Sequence, residues 1–389
     1  MIPKSRNPKS KQKGIGDIKV TRQVEFTSRS HRSRPSKMMT GRLTAKLLEG
    51  AWRYTPPNTT TSLEELEYLA PLLLRSGAAG LAWSKLRNSD FHSTKTVETL
   101  HQAYRMQSLQ SVLHERSLKR AVSLLKDQGI ESIVVKGWSI ARAYSDVAVR
   151  PYCDLDLCVS PEDYEKAGMA LRNIEGGVTN VDLHAGFGKF YDARTDDIFD
   201  RSQVVSLEGI PVRILCPEDN LRYLCMHLLR HGAVRPLWLC DIGVVLESLA
   251  VGFDWDRCMS GSRRHVQWMS CAIKLAAMLL GVNIENTPVA RQSKTLPRWL
   301  VKAVLRDWGV AFRSPWEVKA MLRRPVGFVR ELPGELSRHW PNPIEATMTL
   351  RGPLNRIPRL PFQLGHVASR TFVLLSELFA DSRAVHSRS

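Results

Sequence analysis

The feature that most restricts the fold is a region in which short β-branched runs alternate with short helical segments. Between residues 130 and 216, the runs IESIVVKG, YCDLDLCVS and GVTNVDLHAG predict strands, and WSIARAYSD and SPEDYEKAGMALRN predict helical pieces between them. The segment QVVSLEGIPVRIL follows and predicts a hairpin that turns at Glu208-Gly209. This order predicts an α/β unit, and the hairpin makes its sheet mixed.

Helical patterns flank this unit on both sides. The segment SLEELEYLAPLLLRSG starts with a capping box formed by Ser62 and Glu65, and the segments PEDNLRYLCMHLLRHG and MSCAIKLAAMLLG follow the hairpin. We therefore predict an α+β fold, in which a small mixed β-sheet core is flanked by N-terminal and C-terminal helical regions. The expected division is a disordered basic tail at 1–37, a helical region at 38–129, the core at 130–216, a helical domain at 217–285 and a basic C-terminal region at 286–389.

The net charge of +18 is concentrated at the two ends of the chain. Residues 1–40 contain 11 Lys and Arg against Asp17 and Glu25, and residues 281–389 contain 17 Lys and Arg against 8 Asp and Glu, so each end carries +9. The residues between them are neutral. Two interpretations stay open: the basic ends serve solubility, or they attract a polyanion such as a nucleic acid or a nucleotide.

Nothing in the sequence indicates a membrane or an oxidising compartment. No apolar run approaches the ~18 residues of a membrane-spanning helix, and the basic N-terminus lacks the apolar stretch of a secretory signal. We expect a cytoplasmic protein without a membrane partner. The seven cysteines form no CxxC pair, which argues against a zinc ribbon or a disulfide framework. Those in apolar patterns are expected to be small buried residues, namely Cys153, Cys158, Cys225 and Cys240.

Two acids interrupt the predicted strand YCDLDLCVS. Residues i and i+2 of a strand point to the same face, so Asp154 and Asp156 are expected to lie side by side. Two carboxylates this close repel each other, and a divalent ion such as Mg²⁺ neutralises such a pair best. The alternative is that both acids lie on a solvated face of the strand.

The next predicted strand supplies a third acid. In VDLHA, Asp182 and His184 share one face, and Asp182 joins the first pair if the two strands are neighbours. Three clustered carboxylates suit phosphoryl or nucleotidyl transfer, with Asp154 and Asp156 as metal ligands and Asp182 as a ligand that also accepts a proton. The alternative for Asp182 is an ordinary edge strand.

Two basic residues near these acids are candidates for phosphate binding. Lys136 and Gly137 stand at a strand-to-helix junction, where a phosphate is accommodated by a cation and by close backbone approach; an ordinary turn explains them equally well. Arg150, four residues before Asp154, could hold a phosphate oxygen or pair with the acids.

These motifs, in this order, resemble the uncharacterised nucleotidyltransferases of the DNA polymerase beta superfamily. The resemblance covers about residues 60–280 and includes VVKGWSIARAYSDVAVRPYCDLDLCVS, VDLHAGF and the later helical segment with its His, Trp and Asp. The wider superfamily has Gly-Ser at the turn, where this sequence has Lys-Gly-Trp-Ser.

The resemblance implies a nucleotidyltransferase core that works with Mg²⁺ or Mn²⁺. It implies Asp154, Asp156 and Asp182 as the catalytic and metal-binding carboxylates, and a phosphate site that includes Lys136, Gly137, Ser139 and Arg150. A second tier of candidate site residues consists of His184, His227 and Asp241. His227 is expected to face either the cleft or the core, and Asp241 is expected to cap, to form an ion pair or to approach the site.

We predict an enzyme that transfers an NMP from an NTP to an acceptor and releases pyrophosphate. The acceptor is open between a small molecule, a peptide, a protein and an RNA, and the basic ends favour a polyanionic one. A toxin-like enzyme that modifies tRNA or a protein is the alternative within the same chemistry. A non-catalytic module that binds nucleic acid or a protein partner on the same fold is the alternative outside it.

Overall fold

The alternating region forms a five-stranded sheet with the strand order β3-β2-β1-β5-β4. Its central strand β1 pairs antiparallel with β2 and parallel with β5, while β3 adds to β2 in parallel and β4 forms an antiparallel hairpin with β5. The sheet is therefore mixed, as the sequence predicts. Its strands are Ser132–Val135 (β1), Leu155–Val159 (β2), Val181–Ala185 (β3), Gln203–Leu207 (β4) and Ile210–Ile214 (β5).

The computed structural model describes residues 35–172, 180–188, 193–292, 295–311, 340–370 and 372. The predicted disordered tail at 1–37 lies almost wholly outside the described residues, as does much of the predicted basic C-terminal region. The described residues from Ser36 onwards belong to one compact unit. The domain boundaries given above stay a prediction.

Helices account for most of the described chain outside the sheet. Several of them begin and end at the capping residues that the sequence indicates. Ser62 and Glu65 form the expected capping box, and Gly77 ends that helix with a φ of 81°. The helices include Lys37–Leu48 (α1), Leu63–Ser76 (α2), Ala79–Leu86 (α3), Lys95–Asp127 (α4), Gly137–Ala141 (α5), Tyr164–Arg172 (α6), Thr195–Asp200 (α7), Pro217–Arg230 (α8), Pro236–Glu247 (α9), Trp255–Cys258 (α10), Arg263–Leu280 (α11), Arg298–Trp308 (α12) and Pro343–Thr349 (α13). Residues 360–370 are helical as well.

The hairpin turn has the backbone that its sequence requires. Glu208 and Gly209 both have positive φ, at 48° and 86°. A two-residue turn of this kind matches the twist of the two strands, and glycine adopts the conformation at little cost. The predicted turn at Glu208-Gly209 is confirmed.

One long helix connects the sheet to the helical part of the protein. The N-terminal half of α4 contributes Val97 and Leu100 to a large cluster built mainly from helices. Its C-terminal half contributes Leu118 and Leu125 to a second cluster, which also contains the β2 residue Leu157. Because one continuous helix belongs to both clusters, the sheet and the helical part are held together by apolar packing.

The N-terminal and C-terminal helical regions share the first of these clusters. Leu47 of α1, Leu69 of α2, Leu228 of α8 and Ile273 of α11 are all buried within it. The sheet is thus packed beside one helical body formed by both flanking regions. Within the described residues, every helix is too short or too polar to cross a lipid bilayer.

Candidate metal centre and nucleotide site

The two acidic strands are neighbours, and their acids lie in register. Strands β2 and β3 run parallel with Asp156 opposite Asp182, and Cys158 opposite His184. Asp156 has only 2% of its side chain exposed, whereas Asp182 has 58% exposed. The sequence left open whether the two strands are neighbours, and the structure shows that they are. The pair therefore consists of a buried carboxylate and one that faces solvent.

His184 connects these two carboxylates. Its Nε2 lies 3.1 Å from Oδ1 of Asp156 and 3.5 Å from Oδ2 of Asp182. Asp156, Asp182 and His184 each offer one ligand atom within 4.8 Å of the others. The sequence placed His184 in a second tier, but the structure places it between the two acids.

Lys136 is the cation nearest to the buried acid of this group. Its Nζ lies 2.7 Å from Oδ1 of Asp156, the oxygen that His184 also contacts. Burial raises the pKa of Asp156, but the hydrogen bond from His184 and the positive charge of Lys136 outweigh it and lower the pKa below its ordinary value. The carboxylate is therefore held in its charged form, as a metal ligand must be.

Asp154 does not share the strand with Asp156, contrary to the sequence-based expectation. Strand β2 begins at Leu155, so Asp154 lies one residue before it and is exposed. Cys153 is exposed as well, so its predicted burial is wrong; the alternation of strand faces does not extend to a residue outside the strand. The other six cysteines are buried.

Asp154 nevertheless lies within electrostatic reach of the two strand acids. Although the residue is exposed, the surrounding protein partly desolvates the carboxyl group of Asp154 and raises its pKa; the negative charges of Asp156 and Asp182 raise it further, while Lys136 opposes them. In this structure the close cluster thus consists of two carboxylates and an imidazole, with the third carboxylate beside it.

The Lys-Gly turn approaches the same site through its backbone. Lys136 has a φ of 53° and Gly137 a φ of 39°. A Cβ on Gly137 would lie 3.3 Å from the carbonyl oxygen of Asp154, so a larger residue would press on the segment that carries this acid. The half-buried Ser139 donates its backbone N–H to the carbonyl of Lys136 at 2.8 Å. The expected role of this turn in phosphate binding stays a prediction.

Arg150 and Asp241 form a buried ion pair. Nε and Nη2 of Arg150 lie 3.0 Å and 2.6 Å from the two carboxylate oxygens of Asp241, and the Tyr144 hydroxyl donates to the same carboxylate at 2.8 Å. Asp241 belongs to α9, so the pair links the loop before β2 to the helical body. The ion-pair alternative for Asp241 describes what the structure shows. Because Asp241 occupies the guanidinium of Arg150, this arrangement disfavours the predicted phosphate contact.

His227 and His231 lie on one face of the α8 terminus, next to Trp238. The ring centroids of the two histidines are 4.5 Å apart, and that of His227 is 4.7 Å from Trp238. Burial, followed by the positive charge of Lys136, lowers the pKa of His227 well below its ordinary value. His227 is therefore a buried, neutral residue of the helical body, within electrostatic reach of the Lys-Gly turn.

Sequence reasoning missed two residues near the site. Tyr144 supports Asp241, and Arg235 lies at the start of α9, where burial lowers its pKa while the negative charge of Asp154 acts to raise it. No motif or spacing points to Tyr144. The position of Arg235 before a helix-starting proline is a usable signal for a residue at a helix terminus, although it indicates nothing about the acids.

Comparison with known families decides the affiliation of the chain. The model of the uncharacterised nucleotidyltransferase family matches residues 63–175 and 174–279, which together make up more than half of the chain. The chain belongs to this family. The matched range agrees with the extent of the resemblance described above and includes the sheet, the acids and α8 to α11. No curated protein and no solved structure matches the chain.

The residues at the β2–β3 edge fit a divalent metal. Carboxylate oxygens suit Mg²⁺ and Mn²⁺, and an imidazole nitrogen is compatible with Mn²⁺. The buried and deprotonated Asp156, the exposed Asp182 and the adjacent Asp154 offer such oxygens on one edge. A nucleotidyltransferase needs this arrangement to neutralise and orient a triphosphate.

Proposed function

We propose that this protein is a metal-dependent nucleotidyltransferase that transfers an NMP from an NTP to an acceptor. The observation that carries the proposal is the in-register pair of Asp156 and Asp182 on two parallel strands, in a chain of the nucleotidyltransferase family. The buried carboxylate can hold an ion, and the exposed carboxylate beside it can contact a substrate.

The carboxylates hold the metal in this proposal. Asp156 supplies the fixed ligand, because it is buried and charged, and Asp182 supplies the ligand that faces solvent. Asp154, which directly precedes β2, is the third carboxylate of the set. A bound Mg²⁺ or Mn²⁺ would neutralise the triphosphate and the charge that develops during transfer.

The Lys-Gly turn binds the nucleotide phosphates. Lys136 contributes the positive charge, Gly137 permits close approach, and Ser139 adds a hydroxyl. Arg150 is the weakest of the predicted phosphate ligands, because its guanidinium is already engaged by Asp241.

The transfer step needs one proton acceptor. An acceptor oxygen attacks the α-phosphorus, the bond from that phosphorus to the bridging oxygen breaks, and pyrophosphate leaves with the bonding electrons. The proton of an acceptor hydroxyl goes to the exposed carboxylate of Asp182, which is placed to receive it from solvent-facing substrate. The basic ends of the chain favour a polyanionic acceptor such as RNA over a neutral one.

The test is transfer of label from each α-³²P-labelled NTP, with Mg²⁺ or Mn²⁺, to bulk RNA, protein or small-molecule acceptors. We expect one NTP to label one acceptor class and to release pyrophosphate. Asp182→Asn should abolish transfer, and because Asp182 is exposed, this change should leave folding intact. Asp254→Asn is the matched control, since Asp254 caps α10 outside the site.

Each outcome favours one of the functions that the sequence leaves open. Label in tRNA or in a protein supports the toxin-like alternative, and label in a small molecule or peptide supports a biosynthetic one. Absence of transfer with every NTP and acceptor class, together with an activity in cells that survives Asp182→Asn, would instead favour a non-catalytic binding module. Transfer that survives Asp182→Asn would show that Asp182 is not the proton acceptor.

A further inference from the structure

Oδ1 of Asp156, one of the two carboxylate oxygens that could bind a metal, already contacts a lysine and a histidine of the protein. Nζ of Lys136 is 2.7 Å and Nε2 of His184 is 3.1 Å from Oδ1 of Asp156. Only 15% of the Lys136 side chain is exposed. A divalent ion on this oxygen would lie beside the ammonium group, and like charges at such a distance repel strongly in a partly buried site.

The position of Lys136 is fixed by the fold. It follows Val135, which lies opposite Asp156 in the antiparallel pair of β1 and β2. Its φ of 53° with a ψ of −149° is a sparsely populated conformation for any residue other than glycine. The N–H groups of Ser139 and Ile140 bond to its carbonyl and help to keep this conformation. Strain of this kind is retained where the surrounding structure enforces it, as at functional sites.

The contact between Lys136 and Asp156 also balances the negative charges of the neighbouring acids. Asp154, Asp156 and Asp182 lie within electrostatic reach of one another, and Lys136 acts against their repulsion. An incoming triphosphate supplies new anionic partners for an ammonium group. Lysine suits an exchange of partners, because its ammonium is a point charge on a flexible stem and makes no bidentate pair.

We propose that Lys136 excludes the metal ion from Asp156 until a nucleotide is bound, and that its ammonium then moves from Asp156 to the triphosphate. This inference rests on the proposed function and adds an order of events to it: the metal enters with the nucleotide. Free divalent ions then bind poorly to the nucleotide-free protein.

Binding of Mn²⁺ alone, followed by the EPR signal of the unbound ion, tests the order without any turnover. We expect Lys136→Met to bind Mn²⁺ at least about tenfold more tightly than the wild type in the absence of nucleotide. Lys136→Arg keeps the positive charge and should bind as weakly as the wild type. Lys119→Met is the matched control, because it removes a lysine that is paired with Glu208 outside the site, and it should change nothing.

A second measurement uses a non-hydrolysable α,β-methylene NTP analogue together with Mn²⁺. Lys136→Met should bind this analogue about tenfold more weakly than the wild type, because the triphosphate loses its cation. Lys136→Gln serves as a second neutral variant if Lys136→Met does not fold. Circular dichroism establishes folding of each variant before binding is measured.

The results separate the two proposals. Equal Mn²⁺ affinity in the wild type and in both neutral Lys136 variants overturns the exclusion role, even if transfer activity is found. Adding Asp156→Asn to Lys136→Met should remove the tight Mn²⁺ binding. If it does not, the carboxylate edge is not the metal site, and the proposed function fails together with the inference.

Discussion

Among the buried aspartates that pair with a cation, Asp241 and Asp156 differ in how completely their pairs are enclosed. Asp241 receives two hydrogen bonds from the planar guanidinium of Arg150 and one from Tyr144, and it is fully buried. Asp156 is almost as buried, but its cation is the ammonium of Lys136, and the exposed Asp182 stands beside it.

The comparison shows that burial of a carboxylate does not tell a structural pair from a reactive one. The difference lies in the shape of the cation and in the neighbours. A bidentate arginine with a supporting hydroxyl leaves no place for a ligand, whereas a single lysine contact among other acids can be exchanged for a metal ion. We expect one pair to govern stability and the other to govern activity.

The largest effect is expected from Asp156→Asn. The change removes the fixed metal ligand, which contributes several kcal/mol to the transition state, so nucleotidyl transfer should fall by at least about 1,000-fold. The free energy of unfolding should fall by less than the roughly 3–5 kcal/mol that is typical of a broken buried ion pair, because the amide keeps an oxygen for Lys136 and Asp154 remains near that ammonium. Transfer rates and urea unfolding of the same preparation check both parts. A variant that loses stability in proportion to activity would show that Asp156 belongs with the structural pair.

The opposite pattern is expected from Asp241→Ala. It leaves the guanidinium of Arg150 buried without its partner, which typically costs about 3–5 kcal/mol of unfolding free energy. Urea denaturation measures this loss. Glu131→Ala is the control: Glu131 pairs with Arg213 at the surface, and removing it should cost less than about 1 kcal/mol. Equal losses in the two variants would contradict the distinction between enclosed and exposed pairs.

A triple substitution tests whether the Arg150 pair is needed as a pair. Arg150→Met, Asp241→Leu and Tyr144→Phe together remove both charges and the hydroxyl that would otherwise lose its acceptor. Replacing a buried ion pair by apolar residues of similar volume is often neutral or stabilising. We expect the triple variant to recover at least about 2 kcal/mol relative to Asp241→Ala, measured by the same urea denaturation. No recovery would mean that the geometry of the ion pair itself positions α9.

The sequence predicts the local features of this site and not its long-range pairs. The strands, the hairpin at Glu208-Gly209 and the capping box at Ser62 follow from residue periodicity and from the backbone preferences of a few residue types. The adjacency of Asp156 and Asp182 follows from strand order, which the sequence left conditional. The family resemblance is confirmed by the match over residues 63–279.

The pairing of side chains could not be predicted, because it depends on how distant elements pack. Arg150 and Asp241 are 91 positions apart, and their contact is set by the placement of α9 against the loop before β2. Asp154 was expected on the strand, but the strand begins one residue later, so the alternation of strand faces does not fix the direction of the side chains before it. Cys153 is exposed for the same reason.

The half-buried carboxylate of Asp307 sharpens the comparison, because its close partner is an amide. The Asn342 side chain donates to Asp307 at 2.7 Å, and burial raises the pKa of Asp307 to about 6. As the pH rises, Asp307 loses its carboxyl proton near pH 4 in the unfolded chain but only near pH 6 in the folded protein. The contribution of Asp307 to stability is therefore present below pH 4 and is lost as the pH rises to about 6.

Asp307→Asn removes this titration and keeps an oxygen that can accept the bond from Asn342. Between pH 4 and pH 7, the free energy of unfolding of the wild type should fall by about 2 kcal/mol relative to that of the variant. Urea denaturation of both proteins across this range measures the difference, which cancels the contributions of all other groups. If the difference in unfolding free energy does not depend on pH, the pKa of Asp307 is not raised in the folded protein. Nearby positive charges would then stabilise its charged form, as Lys136 does for Asp156, and the amide partner would have no distinct effect.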